Sequence, residues 1–364
     1  MAPNSWKGFD HRLFLLTVVI CLTGLVLLYS ASYQKSLACG INFVGRQATW
    51  AAFGIICLLI TARINYRKLI EVSYILYAFN LLLLVLVLLL GHVKMGAQRW
   101  LSFGSFTFQP SELAKIIIIL VLAKYLGGTD LKIQPLKKIL ISLSLVAVPL
   151  ILILKQPDLG TAMVFLPIFF SMLYIRGLRL KYLLGLVMVG LASTPLLWFL
   201  LRDYQRQRLL VFLNPNIDPL GSGYTVIQSK IAIGSGGFLG KGWLAGTQNQ
   251  LNFLPEHHTD FIFSVIGEEW GFLGATILIL LYFLLIRQGL KIAGRTNDST
   301  GRLLAVGIIT MFSFHIIVNI GMTVGMMPVT GLPLPLLSYG GSCLVMTMMS
   351  IGILLNIRMK RTIF

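Results

Sequence analysis

Charged residues are scarce in this chain: they make up 12% of its 364 residues, whereas 57% are hydrophobic. That shortage excludes the polar surface that two or three soluble domains of this length would need. Short segments of alternating apolar and polar residues are also missing, which argues against a transmembrane β-barrel. The chain instead contains apolar runs of about 20 residues, which as helices cross a hydrocarbon core of roughly 30 Å. The composition therefore predicts an integral membrane protein built from helices.

Acidic residues are scarcer still, with 12 Asp and Glu against 30 Lys and Arg, so the formal net charge is +18. Nucleic-acid binding is one function of such charge, but here the basic residues form short clusters between apolar runs rather than one basic face. Clusters in those places indicate membrane topology, so no nucleic-acid partner is expected. Among the 4 cysteines, Cys21, Cys57 and Cys343 lie within apolar runs and Cys39 in a loop, so no disulfide framework is expected.

The apolar runs predict an all-α polytopic membrane protein with about ten transmembrane helices in a single domain, 1–364. The first run is longer than a signal-peptide core and lacks a convincing cleavage site, so we expect it to be retained. Pro149, Pro157 and Pro167 interrupt the fifth and sixth runs, which predicts bent or broken helices there. The predicted spans are 13–32, 44–62, 70–90, 111–126, 138–154, 160–175, 182–201, 262–286, 303–325 and 337–357.

Basic residues recur in alternate connections between these spans, and the positive-inside rule assigns those connections to the cytoplasm. Both termini are then cytoplasmic, and the long connection between the seventh and eighth spans, 202–261, lies outside. The basic residues that predict this orientation are Lys7 and Arg12; Arg63, Arg67 and Lys68; Lys124, Lys132, Lys137 and Lys138; Arg176, Arg179 and Lys181; Arg287, Lys291, Arg295 and Arg302; and Arg358, Lys360 and Arg361.

Asp260 lies where the long outside loop meets the eighth predicted span. A carboxylate at a helix start is held by rigid backbone yet reaches water and lipid head groups, which suits chemistry. The alternative is that Asp260 caps the helix, whose macrodipole would keep the carboxylate ionised. An ionised carboxylate that contacts an attacking hydroxyl is still able to act as a general base.

Three other charged residues fall in or beside spans. Glu112 and Lys115 share one face of the fourth span and either line a wet cavity or form a structural ion pair; intramembrane charges usually mark function, which favours the cavity. Asp158 lies in a tight polar turn before the sixth span, where a helix cap is as consistent with the sequence as a substrate contact.

The outside loop contains weaker signals. The charged run 202–208 predicts an extension of the seventh helix, and 222–233 predicts a short amphipathic helix. The glycine-rich stretch 234–246 lacks the spacing of a phosphate-binding loop. His257 and His258 are interpreted as solvated loop residues rather than ligands, so no metal site is expected.

Three further segments suggest packing rather than chemistry. The aromatic-rich segment 91–111 predicts an interfacial loop. Gly321 and Gly325 have the spacing of a close helix contact and offer a surface for a partner's helix. The segment 333–342 contains two prolines. Its sequence favours close helix packing, and the alternative is a broken helix near a cavity.

Five segments, taken together, resemble the SEDS family (shape, elongation, division and sporulation). They are Gln-Pro-Ser-Glu-Leu-Ala-Lys at 109–115, Lys-Gln-Pro-Asp-Leu-Gly-Thr at 155–161, Gly-Ser-Gly-Tyr-Thr-Val-Ile-Gln-Ser at 221–229, Pro-Glu-His-His-Thr-Asp-Phe-Ile-Phe at 255–263 and Pro-Leu-Pro-Leu-Leu-Ser-Tyr-Gly-Gly-Ser at 333–342. They occur in family order and cover nearly the whole chain. The short N-terminus and the Thr-Asp-Phe-Ile-Phe segment resemble the elongation branch more than the division branch.

This resemblance implies a peptidoglycan glycosyltransferase of the elongation machinery, a multi-pass protein of the bacterial cytoplasmic (inner) membrane. Such an enzyme polymerises lipid II into a nascent glycan strand at the outer face. It works with a class B penicillin-binding protein, the transpeptidase, and with membrane lipid around it. Asp260 matches the family's essential loop aspartate, and Glu112 and Lys115 match its cavity pair.

The reaction needs a base for the acceptor hydroxyl and positive charge for the departing undecaprenyl pyrophosphate. Asp260 is the candidate base, and one in-line displacement with inversion requires no covalent enzyme intermediate. The candidate substrate-binding residues are Glu112, Lys115, Arg99, Asp158, Arg202, Arg206, Arg208, Lys230 and Lys241. A divalent cation, Mg²⁺ or Mn²⁺, is a further candidate source of positive charge.

Two other function classes remain open on the sequence. A lipid II flippase would use Glu112 and Lys115 to bind the pyrophosphate in transit. A non-catalytic scaffold for the penicillin-binding protein would need neither residue. Strand formation by the purified protein distinguishes the enzyme from both.

Overall fold

Helices make up most of the described residues, which in this computed structural model are 8–94, 97–103, 106–128, 134–201, 203–219 and 221–361. The helices of the first half are α1 (His11–Cys39), α2 (Phe43–Arg63), α3 (Tyr66–Glu71), α4 (Ser73–Leu90), α5 (Pro110–Gly128), α6 (Pro135–Lys155), α7 (Leu159–Ile175), α8 (Leu180–Ala192) and α9 (Thr194–Leu200). Those of the second half are α10 (Asp203–Leu213), α11 (Ser222–Ser235), α12 (Thr247–Gln250), α13 (Ile262–Glu269), α14 (Gly271–Arg295), α15 (Ser299–Thr323) and α16 (Gly341–Arg361).

Seven of these helices are long and apolar enough to cross a membrane: α1, α2, α4, α6, α14, α15 and α16. The shorter apolar helices α7 and α8 match the sixth and seventh predicted spans. Helix α5 matches the fourth, and it carries the charges of Glu112, Lys115 and Lys124. The expected class, a polytopic all-α membrane protein, is confirmed. Pro149 and Pro167 lie inside α6 and α7 without ending either helix.

The eighth span does not begin at 262 as predicted. Helix α13 ends at Glu269, and α14 starts anew at Gly271, whose φ of +65° is left-handed. A side chain at Gly271 would collide with the backbone of Gly240 in the glycine-rich stretch, so this position combines an unusual φ with close backbone approach. Asp260 therefore precedes a short separate helix rather than the spanning one.

The seventh span also differs from its prediction. The apolar run divides into α8 and α9, and the charged run forms the separate helix α10 from Asp203 onward rather than an extension. Pro195, in the first turn of α9, has no N–H to donate back into α8, which accounts for a break there. Residue Arg202 lies outside the described residues.

The outside loop and the 91–111 segment have ordered structure. The predicted amphipathic helix is confirmed as α11, and Pro215–Ile217 forms a single 3₁₀ turn before it. Segment 91–111 contains an antiparallel sheet of three strands rather than a bare loop. These are β1 (His92–Lys94), β2 (Ala97–Phe103) and β3 (Phe106–Phe108), with His92 opposite Trp100 and Leu101 opposite Phe108.

Helix α15 lies at the centre of the bundle, where it packs against α5, α7 and α14, while α16 packs against α2. The predicted close contact at Gly321 and Gly325 is wrong, because α15 ends at Thr323. Gly325 follows the helix with φ +78° and packs against the Lys230 side chain, and Gly321 faces Met327. Neither glycine offers a helix surface to a partner.

The orientation remains a prediction that cysteine labelling tests. Gly234→Cys, in a Cys39→Ser background, should react with an impermeant maleimide in intact spheroplasts, because Gly234 is exposed on α11 with open space at its Cβ position. Gly294→Cys, equally open near the end of α14, should react only after permeabilisation. The opposite pattern would reverse the assignment of inside and outside.

Candidate active site

Asp260 is fixed by its backbone rather than by a helix cap. Its N–H donates to the Glu256 carbonyl oxygen at 3.1 Å, and its own carbonyl oxygen accepts from Asn319 Nδ2 at 2.9 Å. The N-cap residue of α13 is Phe261, and no side chain caps that helix. The capping interpretation of Asp260 is therefore wrong, and the carboxylate is not engaged at the helix end.

The Asp260 carboxylate faces a cavity of about 240 Å³. Its polar wall includes Glu256 and Arg208, and Arg208 Nη1 donates to the Val329 carbonyl oxygen at 3.1 Å. The remaining wall is mostly apolar, and its residues are Val211, Phe212, Pro215, Thr225, Val226, Pro255, Phe261, Gly325, Met327, Pro328 and Val329. A cavity lined by a few charged groups and a larger apolar surface suits an amphiphilic ligand.

The pKa of Asp260 is raised to about 6, chiefly by burial and further by the neighbouring Glu256 carboxylate, although Arg208, Arg99 and a hydrogen bond from Thr259 lower it. A helix macrodipole therefore does not hold the pKa of this carboxylate at its usual value. A carboxylate with a pKa of about 6 is a stronger base than an ordinary aspartate and is still about nine-tenths ionised at pH 7.

Among the described residues, Arg208 is the cation with the largest effect on the Asp260 carboxylate. Burial lowers its pKa from the usual value, and repulsion from Arg99 lowers it further, while Asp260, Tyr204 and Asp158 raise it. Arg99, Arg208, Asp158 and Asp260 therefore form one interacting group of charges, drawn from β2, α10, the turn before α7 and the segment before α13.

The turn before α7 connects this group to the bundle. Arg99 Nη1 lies 3.8 Å from Asp158 Oδ1, and both Arg99 and the Tyr204 hydroxyl donate to the Pro157 carbonyl oxygen. Asp158 caps α7, since its Oδ1 accepts from Thr161 N at 3.2 Å and its Oδ2 from Thr161 Oγ1 at 2.9 Å. The capping interpretation of Asp158 is confirmed, and its contact with substrate stays a prediction.

The other predicted cations differ in their surroundings. Lys230 packs against Gly325 at the wall of the cavity. Arg206 instead donates to the carbonyl oxygens of Trp198 and Phe199 at the end of α9, at 2.9 and 3.0 Å. Lys241 Nζ is paired with Glu268 Oε1 at 2.8 Å.

Neither Arg206 nor Lys241 lines the Asp260 cavity. The Arg206 and Lys241 side chains are engaged elsewhere, because Arg206 donates to the end of α9 and Lys241 pairs with Glu268 of α13. Among the described residues, Arg208 and Arg99 are the cations that act on the Asp260 carboxylate, and Lys230 contacts Gly325 of the cavity wall; all three belong to the predicted set.

Glu112 and Lys115 form a buried cluster with His315 in the bundle. Lys115 Nζ lies 2.8 Å from Glu112 Oε1 and 3.0 Å from His315 Nε2, and the three residues are 4%, 2% and 2% exposed. They border a space of about 10 Å³, roughly enough for one water molecule. Pro335 of the predicted broken-helix segment also borders it, so that segment does lie beside the pair.

Sequence reasoning missed two residues that connect these sites, His315 and Asn319. They are four residues apart on α15, hence one helical turn of about 6 Å, and lie on one face. Asn319 Nδ2 donates to the carbonyl oxygens of Asp260 and Leu332, and His315 Nδ1 lies 3.2 Å from that of Pro333. The sequence did contain a signal for them, namely two polar residues four positions apart in an otherwise apolar helix.

The two histidines before Asp260 are buried rather than solvated. The two ring nitrogens of His257 contact the backbone carbonyl oxygens of Leu254 and Ala31, and burial lowers the pKa of this histidine. Burial lowers the pKa of His258 to about 3. Among the described residues no group of three or more His, Cys, Asp or Glu is arranged to hold a metal ion.

Comparisons with known proteins give consistent results. Residues 11–363 match the family model for FtsW, RodA and SpoVE, described as cell cycle protein. The chain is 43% identical to peptidoglycan glycosyltransferase MrdB of Escherichia coli (strain K12), over 97% of this chain and 94% of that protein. It is 34% identical to peptidoglycan glycosyltransferase RodA of Treponema pallidum (strain Nichols), over 99% and 100% respectively.

Two solved structures resemble the fold. One, from work on the structural coordination of polymerization and crosslinking by a peptidoglycan synthase complex, has a TM-score of 0.84 and 37% identity, covering 98% of this chain and 99% of that one. The other, the rod shape determining protein RodA of Thermus thermophilus, has a TM-score of 0.73 and 33% identity, covering 99% of both chains.

The buried pair on α5 gives a stability prediction. Lys115→Met keeps the side-chain length but leaves Glu112 buried without its partner, so the free energy of unfolding should fall by roughly 3–5 kcal/mol. The double variant Glu112→Gln/Lys115→Met removes both charges and should recover most of that loss. Thermal unfolding in detergent measures both, with the exposed Lys137→Met as a neutral control. A Lys115→Met protein as stable as wild type would contradict the prediction.

Proposed function

The chain belongs to the FtsW/RodA/SpoVE family, which is the SEDS family, and is a peptidoglycan glycosyltransferase; we propose that it polymerises lipid II with Asp260 as the general base. The observation that carries this proposal is the Asp260 carboxylate in a half-apolar cavity, beside Arg208 and with a pKa raised to about 6. It is a multi-pass membrane protein, and we propose that this cavity opens at the outer face of the inner membrane.

In the proposed reaction the acceptor hydroxyl gives its proton to an Asp260 carboxylate oxygen. The acceptor oxygen then forms a bond to the anomeric carbon of the donor sugar, whose bond to the pyrophosphate oxygen breaks with inversion. The pyrophosphate leaves with that electron pair and faces Arg208, with Arg99 and Lys230 nearby. A base that is more basic than ordinary aspartate and cations at the leaving group each lower the barrier.

The amphiphilic lining supports a lipid-linked substrate. Arg208, Glu256 and Asp260 line the cavity and would contact the pyrophosphate and sugars. Apolar residues such as Phe212 and Met327 make up most of the lining and would contact the start of the lipid chain. A soluble nucleotide sugar would leave this apolar surface in contact with water.

The proposed divalent ion, Mg²⁺ or Mn²⁺, fits the residues present. Glu256 lines the cavity together with Asp260, and Mg²⁺ in enzymes commonly binds one or two carboxylates together with phosphate oxygens of the substrate. Glu256 would hold the ion, which leaves the Asp260 carboxylate available as the base. When bound, it supplies positive charge to the pyrophosphate.

We also propose a class B penicillin-binding protein as the crosslinking partner. The support is the fold likeness to a chain from a peptidoglycan synthase complex that coordinates polymerization and crosslinking. Exposed aromatic and aliphatic residues at the start of α14, such as Phe272 and Leu273, leave apolar helix surface for a membrane-spanning partner.

The flippase alternative gains no support from the structure. The space beside Glu112 and Lys115 holds roughly one water molecule, far less than a pyrophosphate needs. The cluster is instead connected to the Asp260 segment through His315 and Asn319 of α15. We propose that it supports the geometry of the catalytic cavity.

Asp260→Asn is the direct test. The variant should lose lipid II polymerisation by roughly a hundredfold to ten-thousandfold, because the amide accepts no proton from the hydroxyl. Its thermal stability should not fall, because burial disfavours the ionised carboxylate in the folded state and the neutral amide removes that cost. Glycan strands formed from lipid II by the purified protein, separated on a gel, measure the activity.

The matched control is Asp203→Asn, an exposed carboxylate of the same loop that forms an ion pair with Arg206 at 3.6 Å, and it should keep wild-type activity. The same preparations test the partner and the ion. Wild type and Asp260→Asn should each co-purify one-to-one with the class B protein, and a chelator should slow wild-type polymerisation. Near wild-type strand formation by Asp260→Asn would remove the catalytic assignment.

The pKa of Asp260 predicts the pH dependence. Because the base must be deprotonated, the polymerisation rate should decline as the pH falls through about 6. Arg208→Gln removes a charge that lowers this pKa, so the acid limb should move to higher pH as well as the rate falling. Initial rates from about pH 5 to pH 8 measure both effects. An acid limb that stays in place in Arg208→Gln would show that Asp260 is not the titrating base.

A further inference from the structure

A second cavity lies at the opposite end of the bundle from Asp260. It measures about 310 Å³ and is enclosed by the start of α1 and the final turns of α14 and α16. The polar residues that line it include Asp10, Arg12, Gln288, Lys291, Arg295 and Arg358. Neither the proposed reaction nor the partner uses this cavity.

Asp10, the one carboxylate that the described residues contribute to this lining, is already engaged. It caps α1 by accepting from Arg12 N at 3.1 Å and Leu13 N at 3.2 Å, and it also contacts Arg358 and Gln288. Its charge is thus compensated by Arg358 within the protein.

Three cations of the cavity have no such compensation. Arg12, Lys291 and Arg295 take part in none of the ion pairs found among the described residues. Lys291 and Arg295 are four residues apart on α14, so both lie on one helix face, and Arg12 joins them from α1. The cavity therefore has an excess of positive charge and suits an anionic group.

Exposed apolar residues continue from this cavity along the same two helices. On α1, Leu15 and Leu22 follow His11 at helical spacing and are 62% and 55% exposed. On α14, Leu280 and Ile277 lie about three and four helical turns before Lys291 and are 53% and 51% exposed. A soluble anion would leave these surfaces unused, whereas the acyl chains of a lipid would cover them.

From this geometry we propose that the cavity binds the head group of an anionic phospholipid, with its acyl chains along α1 and α14. The phosphate contacts Arg12, Lys291 and Arg295. Basic pockets between helices at the cytoplasmic side of membrane proteins bind such head groups, and the predicted orientation puts this end in the cytoplasmic leaflet.

The test is lipid titration of the full-length protein in neutral detergent, followed by native mass spectrometry. Dioleoylphosphatidylglycerol should bind to wild type in preference to dioleoylphosphatidylcholine. Lys291→Gln/Arg295→Gln should weaken phosphatidylglycerol binding by on the order of 30-fold, since each basic residue near an anionic head group contributes about fivefold. Arg287→Gln, on α14 but outside the cavity, is the control and should bind like wild type.

Two further measurements distinguish lost lipid binding from misfolding, and a lipid site from a phosphate site. Thermal unfolding without added lipid should be equal for the double variant and wild type, which separates lost binding from misfolding. Inorganic phosphate at millimolar concentration should not displace the lipid. Equal phosphatidylglycerol binding by wild type and the double variant would overturn the proposal, and displacement by inorganic phosphate would replace the lipid site with a phosphate site.

Discussion

The side-chain amide of Asn319 is the contact on which the active site depends. It is buried on the central helix α15 and donates to two carbonyl oxygens, of Asp260 and Leu332, that belong to different loops. Inside an apolar bundle a carbonyl oxygen without a partner costs several kcal/mol, so these two bonds determine where both loops lie. The Asp260 carboxylate thus has its position from a helix that is distant in sequence, and not from the helix that follows it.

The same constraint explains the irregular segment between α15 and α16. Non-helical backbone at membrane depth persists only where protein groups satisfy it. The Tyr282 hydroxyl donates to the Pro335 carbonyl oxygen at 2.6 Å, and Gln47 bonds both the Ser338 carbonyl oxygen and the Gly340 N–H. His315 provides a further contact at Pro333. This segment therefore forms a rigid wall between the Asp260 cavity and the Glu112 cluster.

The sequence alone predicted the spans, because hydrophobic length is a local property that ten apolar runs express directly. It also predicted Asp260 and Arg208 as site residues, since both lie in recognisable segments beside the membrane. It could not predict the break at Gly271, which arises from packing against the remote Gly240 and lies inside a span that the sequence predicted as continuous. Lys241 is a similar case, because its partner Glu268 is 27 residues away and brought close only by folding. Tertiary contacts determine the structure at these positions, and the local sequence pattern carries no information about such contacts.

Glu112 and Asp260, two of the carboxylates in the family motifs, lie in different environments. Glu112 has a lysine at 2.8 Å and almost no free space beside it, so its charge is already paired. Asp260 has a cavity in front of it, and Arg208, which also lines that cavity, is already bonded to a backbone carbonyl oxygen. Burial therefore raises its pKa, where a direct ion pair would have lowered it. A general base needs this combination of raised proton affinity and access to substrate, and of these two carboxylates only Asp260 has it.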